Sequence, residues 1–124
     1  MERKIKTFRD LIVWQKAMSL VTEIYRISGK FPKEEIYALT SQIRRCAISI
    51  PSNIAEGYGR KSTGDYIRFL QISLGSLYEL QTQIEIALNL NYLDKPGFET
   101  TYCSTKEIER MLTSLINKLE NYSK

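Results

Sequence analysis

The chain has 124 residues, 43% apolar and 26% charged, which suits one domain with an ordinary core and excludes disorder. Eighteen Lys and Arg against fourteen Asp and Glu leave a net charge of +4, and histidine is absent. That absence excludes Ser-His and Cys-His nucleophile pairs, His-containing zinc sites and the Glu-x-x-His ligands of di-iron bundles.

The start, Met1-Glu2-Arg3-Lys4-Ile5-Lys6, is charged and leads into no apolar stretch of signal-peptide character. No run of about 18 apolar residues follows, so no membrane span is expected and the expected compartment is the cytoplasm. Residues 1–9 read as a basic arm on a single domain spanning 1–124. Cys46 and Cys103 are isolated and lack metal-ligand spacing, so each reads as a small packing residue. No catalytic residue, metal or cofactor is expected.

The first predicted helix runs from about Asp10 to Ser28, with Thr7 and Asp10 as its capping pair and Gly29 as its stop. Leu11, Trp14, Met18, Val21 and Tyr25 form one apolar stripe at 3-4 spacing; Val13, Ala17, Leu20, Ile24 and Ile27 form a second beside it. So wide an arc needs more than one neighbouring helix. If Val13, Leu20 and Ile27 face outward, an oligomer is required to cover them; if they pack inside, a monomer suffices.

After the turn Phe31-Pro32-Lys33, a second helix is predicted from Glu34 or Glu35 to Gly57 or Gly59. Ile36, Leu39, Ile43, Cys46, Ile50 and Ile54 carry its periodicity through Pro51, which predicts one long helix with a kink. Ser62 or Thr63 caps a third helix running to about Asn91, lined by Phe69, Leu70, Ser73, Leu77, Leu80, Ile84 and Ala87. Gly75 within it implies close approach by a neighbouring helix, because glycine there otherwise costs about 1 kcal/mol. Helices two and three should each be about 35–40 Å long at 1.5 Å per residue. Pro96-Gly97 reads as a breaker before a fourth helix from about Phe98 to Tyr122, with Ile108, Leu112, Leu115 and Leu119 in its seam. No segment alternates like a strand. The fold class is all-α, an antiparallel up-down-up-down four-helix bundle.

The second helix carries Ser49-Ile50-Pro51-Ser52-Asn53-Ile54-Ala55-Glu56-Gly57. Together with Phe8-Arg9-Asp10-Leu11, Trp14-Gln15, Gln42-Ile43-Arg44-Arg45 and Gly75-Ser76, this resembles the bacterial 23S rRNA intervening-sequence protein family over about residues 8–120. The resemblance implies a four-helix bundle, a homo-oligomer of pentameric form, and a role near nucleic acid. It extends to the accessory protein of diversity-generating retroelements, a basic partner of a reverse transcriptase. It implies no enzymatic activity.

Charge is uneven along the chain: residues 1–68 hold 13 basic and 7 acidic side chains, residues 69–124 hold 5 and 7. Arg3, Lys4, Lys6 and Arg9 in the arm, with Arg44, Arg45, Arg60, Lys61 and Arg68, are the candidate contacts to RNA or DNA backbone. Their plainer reading is a solvated face with local pairs such as Glu56–Arg60. Gln42, Ser49, Asn53, Glu56 and Arg60 form a polar stripe beside the core seam of the second helix. With Glu79, they read as a hydrogen-bonded network or an oligomer interface. Glu56 and Glu79 are also the one carboxylate pair to weigh as acid and base, with arginine partners as the simpler reading. Trp14, Tyr25, Tyr66 and Phe69 read as packing residues; Tyr37, Tyr58 and Tyr78 read as interface residues. A larger protein partner, with no nucleic-acid contact, is the alternative role.

Overall fold

Contacts between the second and third helices run in opposite sequence directions, in a computed structural model that describes residues 4–122. The helices are α1 (Ile12–Ser28), α2 (Leu39–Tyr58), α3 (Thr63–Asn89) and α4 (Lys95–Tyr122), with no strand among the described residues. Arg44 at the start of α2 meets Ser28 at the end of α1. Ser76 lies opposite Ser49, and Ser73 lies opposite Ile50. Gln81 reaches Thr105, and Lys16 reaches Glu107. Among the described residues, each helix approaches its two neighbours backbone to backbone, and neither diagonal pair does. The α1/α2 face is therefore opposite the α3/α4 face.

The core is a column of aliphatics without accessible surface or nearly so: Ile24, Ile43, Ile50, Ile54, Leu70, Leu77, Leu80, Ile84, Ile108 and Leu112. Each such side chain contributes about 1.5–3 kcal/mol through burial, so the fold rests on this column rather than on surface pairs.

Helix ends differ from the sequence expectation, for local reasons. The Thr7–Asp10 capping box belongs to a separate 3-10 turn, Phe8–Asp10, and α1 starts at Ile12. Lys33–Glu35 is a second 3-10 turn, and α2 starts only at Leu39 because Ala38 is non-helical (φ −122°, ψ −109°). Glu35 is held by the Tyr92 hydroxyl at 2.8 Å and accepts from the Leu39 amide at 3.3 Å. Its turn is thus pinned to the far loop instead of continuing into α2, and Ile36 stays exposed rather than joining the seam. The 20 residues of α2 make it about 30 Å long, shorter than expected, whereas the 27 of α3 give about 40 Å. Asn91, at φ 63°, ends α3; its amide donates to Leu88 O while the Tyr92 amide donates to Ala87 O, a Schellman closure. Asp94 accepts from the Gly97 amide at 2.8 Å, which starts α4 at Lys95. Pro96-Gly97 therefore sits in the first turn of α4, where a missing N–H costs nothing, and is not a breaker.

Val13, Leu20 and Ile27 pack inside the bundle, at 5%, 2% and 6% exposure. They do not call for an oligomer. The stripe left outward is the other one: Met18 and Tyr25 are exposed, and Leu11, Trp14 and Val21 are half-buried. The close approach expected at Gly75 is also absent, since a β-carbon there would meet nothing within 4 Å. It occurs at Gly57, against Tyr66 and Phe69.

Candidate functional site: a polar seam and a basic end

The polar stripe of α2 faces α3. Asn53 Nδ2 donates to the Ser49 carbonyl at 2.8 Å and to Ser49 Oγ at 3.0 Å, and Ser49 Oγ lies 2.9 Å from Ser76 Oγ. Deeper in, Ser73 Oγ donates to Ile50 O at 2.8 Å. Cys46 places its thiol 2.9 Å from Ser76 O and near Glu79; burial first, then the Glu79 charge, pushes that thiol up to about 12. Gln83 Nε2 donates to Glu79 at 3.3 Å. Gln42 lies on the same side of α2, exposed. Ser76, Glu79 and Gln83 recur three and four residues apart on α3, the same spacing that marks the stripe on α2. That repeat is the sequence signal for the partner strip.

At the upper end of this seam, Arg60 and Arg68 share one aromatic ring. Their guanidinium carbons lie 4.6 and 4.7 Å from the Phe69 ring centroid. Such contacts hold the two guanidinium groups at one corner. Arg60 also pairs with Glu56 at 2.9 Å, as its spacing predicted, and Arg68 approaches Asp65 at 3.8 Å. Tyr58 and Tyr66 pack edge-on beneath, and burial pushes the Tyr66 hydroxyl up to about 12. Ser62 caps α3 by accepting the Asp65 amide.

The Phe8–Asp10 turn packs on α1 and α2, which brings residues 4–9 to this same end of the bundle. Among the described residues, Lys4, Lys6, Arg9, Arg60, Lys61, Arg68 and Lys118 stand at this end against Asp10, Glu56, Asp65 and Glu120. At the opposite end Arg26, Lys30, Lys33, Arg44, Arg45 and Lys95 are matched by Glu23, Glu34, Glu35, Glu85, Asp94 and Glu99. One end is basic and the other is balanced. Arg3 lies outside the described residues.

Two expected groupings are not formed. Arg44 and Arg45 sit at the balanced end; Arg44 donates to Ser28 Oγ at 2.8 Å, stacks over Tyr25 at 4.6 Å, and so tethers the end of α1. Glu56 and Glu79 share the seam but not a level. Glu79 neighbours Cys46, ten residues before Glu56 on α2, a rise of about 15 Å. They cannot act on one proton. Among the described residues no arginine pairs with Glu79; Gln83 does. Among the described residues, no three His, Cys, Asp or Glu side chains converge as metal ligands.

The family model described as 23S rRNA-intervening sequence protein matches residues 9–114, both the seam and most of the basic end. The chain belongs to this family. A solved structure from Bacteroides thetaiotaomicron VPI-5482 superposes with a TM-score of 0.77 at 25% identity, covering 85% of this chain and 98% of that one. That relative is a protein of unknown function assigned to an S23 ribosomal protein family. No curated protein matches the chain. The segment Ser49 to Gly57, inside the matched span, maps onto the seam. Ser49 and Asn53 make its hydrogen bonds, Ile50 and Ile54 fill the core, and Gly57 admits Phe69 beneath the two arginines. Among the described residues, no helix is long and apolar enough to cross a membrane.

Proposed function

We propose that this intervening-sequence protein is a non-enzymatic, self-associating module that holds nucleic-acid backbone against the basic end of its bundle. The observation that carries this reading is the gathering of Lys4, Lys6, Arg9, Arg60, Lys61 and Arg68 at one end, while the other end is charge-balanced. Cations collected on one surface displace condensed counterions from phosphate, and contacts of that kind track backbone rather than sequence. Repetition of the patch in a homo-oligomer, a pentamer by family resemblance, multiplies a weak contact. The names of the family and of its solved relative, which refer to rRNA and to the ribosome, agree with an RNA-side role.

The test is binding to single- and double-stranded RNA and DNA across a salt series. Affinity should fall steeply between low and moderate salt. Reversing charge at Arg60, Lys61 and Arg68 together should flatten the slope of log K against log salt by about 2–3, given roughly 0.7–0.9 per phosphate contact. Binding indifferent to salt, or to that triple reversal, overturns the reading. The second reading is a protein-interaction scaffold, favoured by an apolar groove between α1 and α2 lined by Phe8, Trp14, Met18, Val21, Ile48 and Pro51. An oligomer that ignores all four polymers would select it.

A further inference from the structure

From Arg110 to Leu119 the fourth helix holds no carboxylate. Its two cations there, Arg110 and Lys118, are exposed, and neither has an ion pair among the described residues. They stand two turns apart, about 12 Å along the axis, with Ser114 midway on the same stripe. A shallow groove of about 490 Å³ runs between them. Met111 and Leu115, both half-buried, form its apolar floor. Glu107 lines it too, and its charge is held by Lys16 at 3.3 Å. The other carboxylates of this half of α4 are turned elsewhere. Glu109 is held by Gln81 and by Lys106, both at 3.0 Å. Glu120 follows Lys118 by two residues, about 200° around the helix, and so lies on its other side. Hydroxyls also differ along α4. Thr100 and Ser104 donate to carbonyls one turn back. Thr113, Ser114 and Asn117 make no side-chain hydrogen bond among the described residues. Lys118 stands at the basic end with Arg60, Lys61 and Arg68, and the groove leads away from it toward Arg110.

We propose that this α4 groove continues the nucleic-acid surface of the basic end and takes a single strand, with phosphates at Arg110 and Lys118 and a base face on Met111 and Leu115. The inference rests on the proposed function and names its ligand class. Rim and floor choose the ligand together. Phosphates answer the two unpaired cations, and Ser114 donates to a phosphate oxygen between them. A single strand turns flat base faces outward, which cover the apolar floor, and a thioether packs well against such rings. A duplex keeps its bases in the stack and would offer the groove phosphates alone. The contact is with base faces and not base edges, so no sequence preference is expected.

The experiment compares wild type with the double variant Arg110→Gln/Lys118→Gln. The probes are a thymine single strand, a uracil single strand, a DNA duplex of the same length and an abasic DNA single strand, each in a salt series. Both positions are exposed, and circular dichroism checks the fold. For wild type, the base-bearing strands should bind tighter than the duplex and about fivefold tighter than the abasic strand. The double variant should lower the slope of log K against log salt by about 1.4, at roughly 0.7 per contact on a single strand. The loss of affinity between about 50 and 200 mM salt then shrinks about sevenfold. Met111→Ala should narrow the gap between thymine and abasic strands and leave the slope unchanged. A preference between thymine and uracil strands identifies DNA or RNA as the source and supports the proposal either way. An unchanged slope in the double variant, a duplex bound as tightly as the single strands, or an abasic strand bound as tightly as the thymine strand overturns it. In those cases, binding lost on charge reversal at Arg60, Lys61 and Arg68 keeps the basic end alone as the site. A wild type that binds none of the four probes overturns both.

Discussion

A β-carbon on Gly57 would stand 2.7 Å from the Phe69 β-carbon. Phe69 Cβ is attached to the α3 backbone and cannot swing away, so Gly57→Ala forces α2 and α3 apart. Overpacking of this kind costs about 1–3 kcal/mol and outweighs alanine's helical advantage of about 1 kcal/mol. Gly75 has open space instead, and Gly75→Ala should raise stability by about 0.5–1 kcal/mol. Urea unfolding of the two variants should move the midpoint in opposite directions. A stabilised Gly57→Ala would show that the helices are not in contact there.

The Ser49–Ser76 hydrogen bond ties the signature to α3 at 2.9 Å in a half-buried setting. Each serine replaced alone by alanine leaves its partner short of one bond. The double variant should then cost less than the two singles summed, with a coupling of about 0.5–1.5 kcal/mol. Additive losses in a double-mutant cycle would mean that the seam packs but does not bond.

The two cysteines should behave differently. Cys103 is exposed and Cys46 is buried beside Glu79, with its thiol pushed up to about 12. A thiol reagent near pH 8 should titrate one group in the native protein and two in denaturant. The same burial gives an alkaline limb. Above about pH 9 the unfolded chain loses the Cys46 proton that the folded chain retains, so stability falls as pH rises toward 12. Tyr66, also raised to about 12, adds to this loss above pH 10. Cys46→Ala should shallow the limb in its lower part; an unchanged curve would place the thiol in solvent.

Glu109 gives the acid limb. The Gln81 amide at 3.0 Å lowers its pKa first, with Lys106 at 3.0 Å assisting. A carboxylate with a depressed folded-state pKa contributes fully above its unfolded value, near 4.5, and the contribution is lost as pH falls through the lower, folded value. Glu109→Gln should remove that part of the pH dependence, as read by thermal unfolding between pH 6 and 2. Identical slopes in both proteins would exclude the interaction.

Periodicity made the four helices legible, because each needs a buried stripe and 3.6 residues per turn leaves a mark in the sequence. It also placed Ser49 and Asn53 on one side of α2 and predicted the Glu56–Arg60 pair. It did not reveal which of two apolar stripes on α1 faces inward. Both have the same spacing, and only the positions of α2 and α4 decide between Leu20 and Met18. Helix starts depart from the periodicity where distant groups intervene: Tyr92 captures Glu35 from another loop, so the residues before Leu39 never join α2.

The sequence by itself determined the fold class, the four helices, the absence of histidine chemistry and the surplus of cations in residues 1–68. Those are local or compositional properties, set by spacing and charge along the chain. Tertiary structure decided which cations act together. Helix packing brings residues 4–9 to the end of the bundle that holds Arg60, Lys61 and Arg68 and sends Arg44 and Arg45 to the far end. It also separated Glu56 from Glu79 and set Phe69 under two guanidinium groups. Electrostatic and hydrogen-bond energies depend on distances in space, and distance along a chain constrains those only within a few residues.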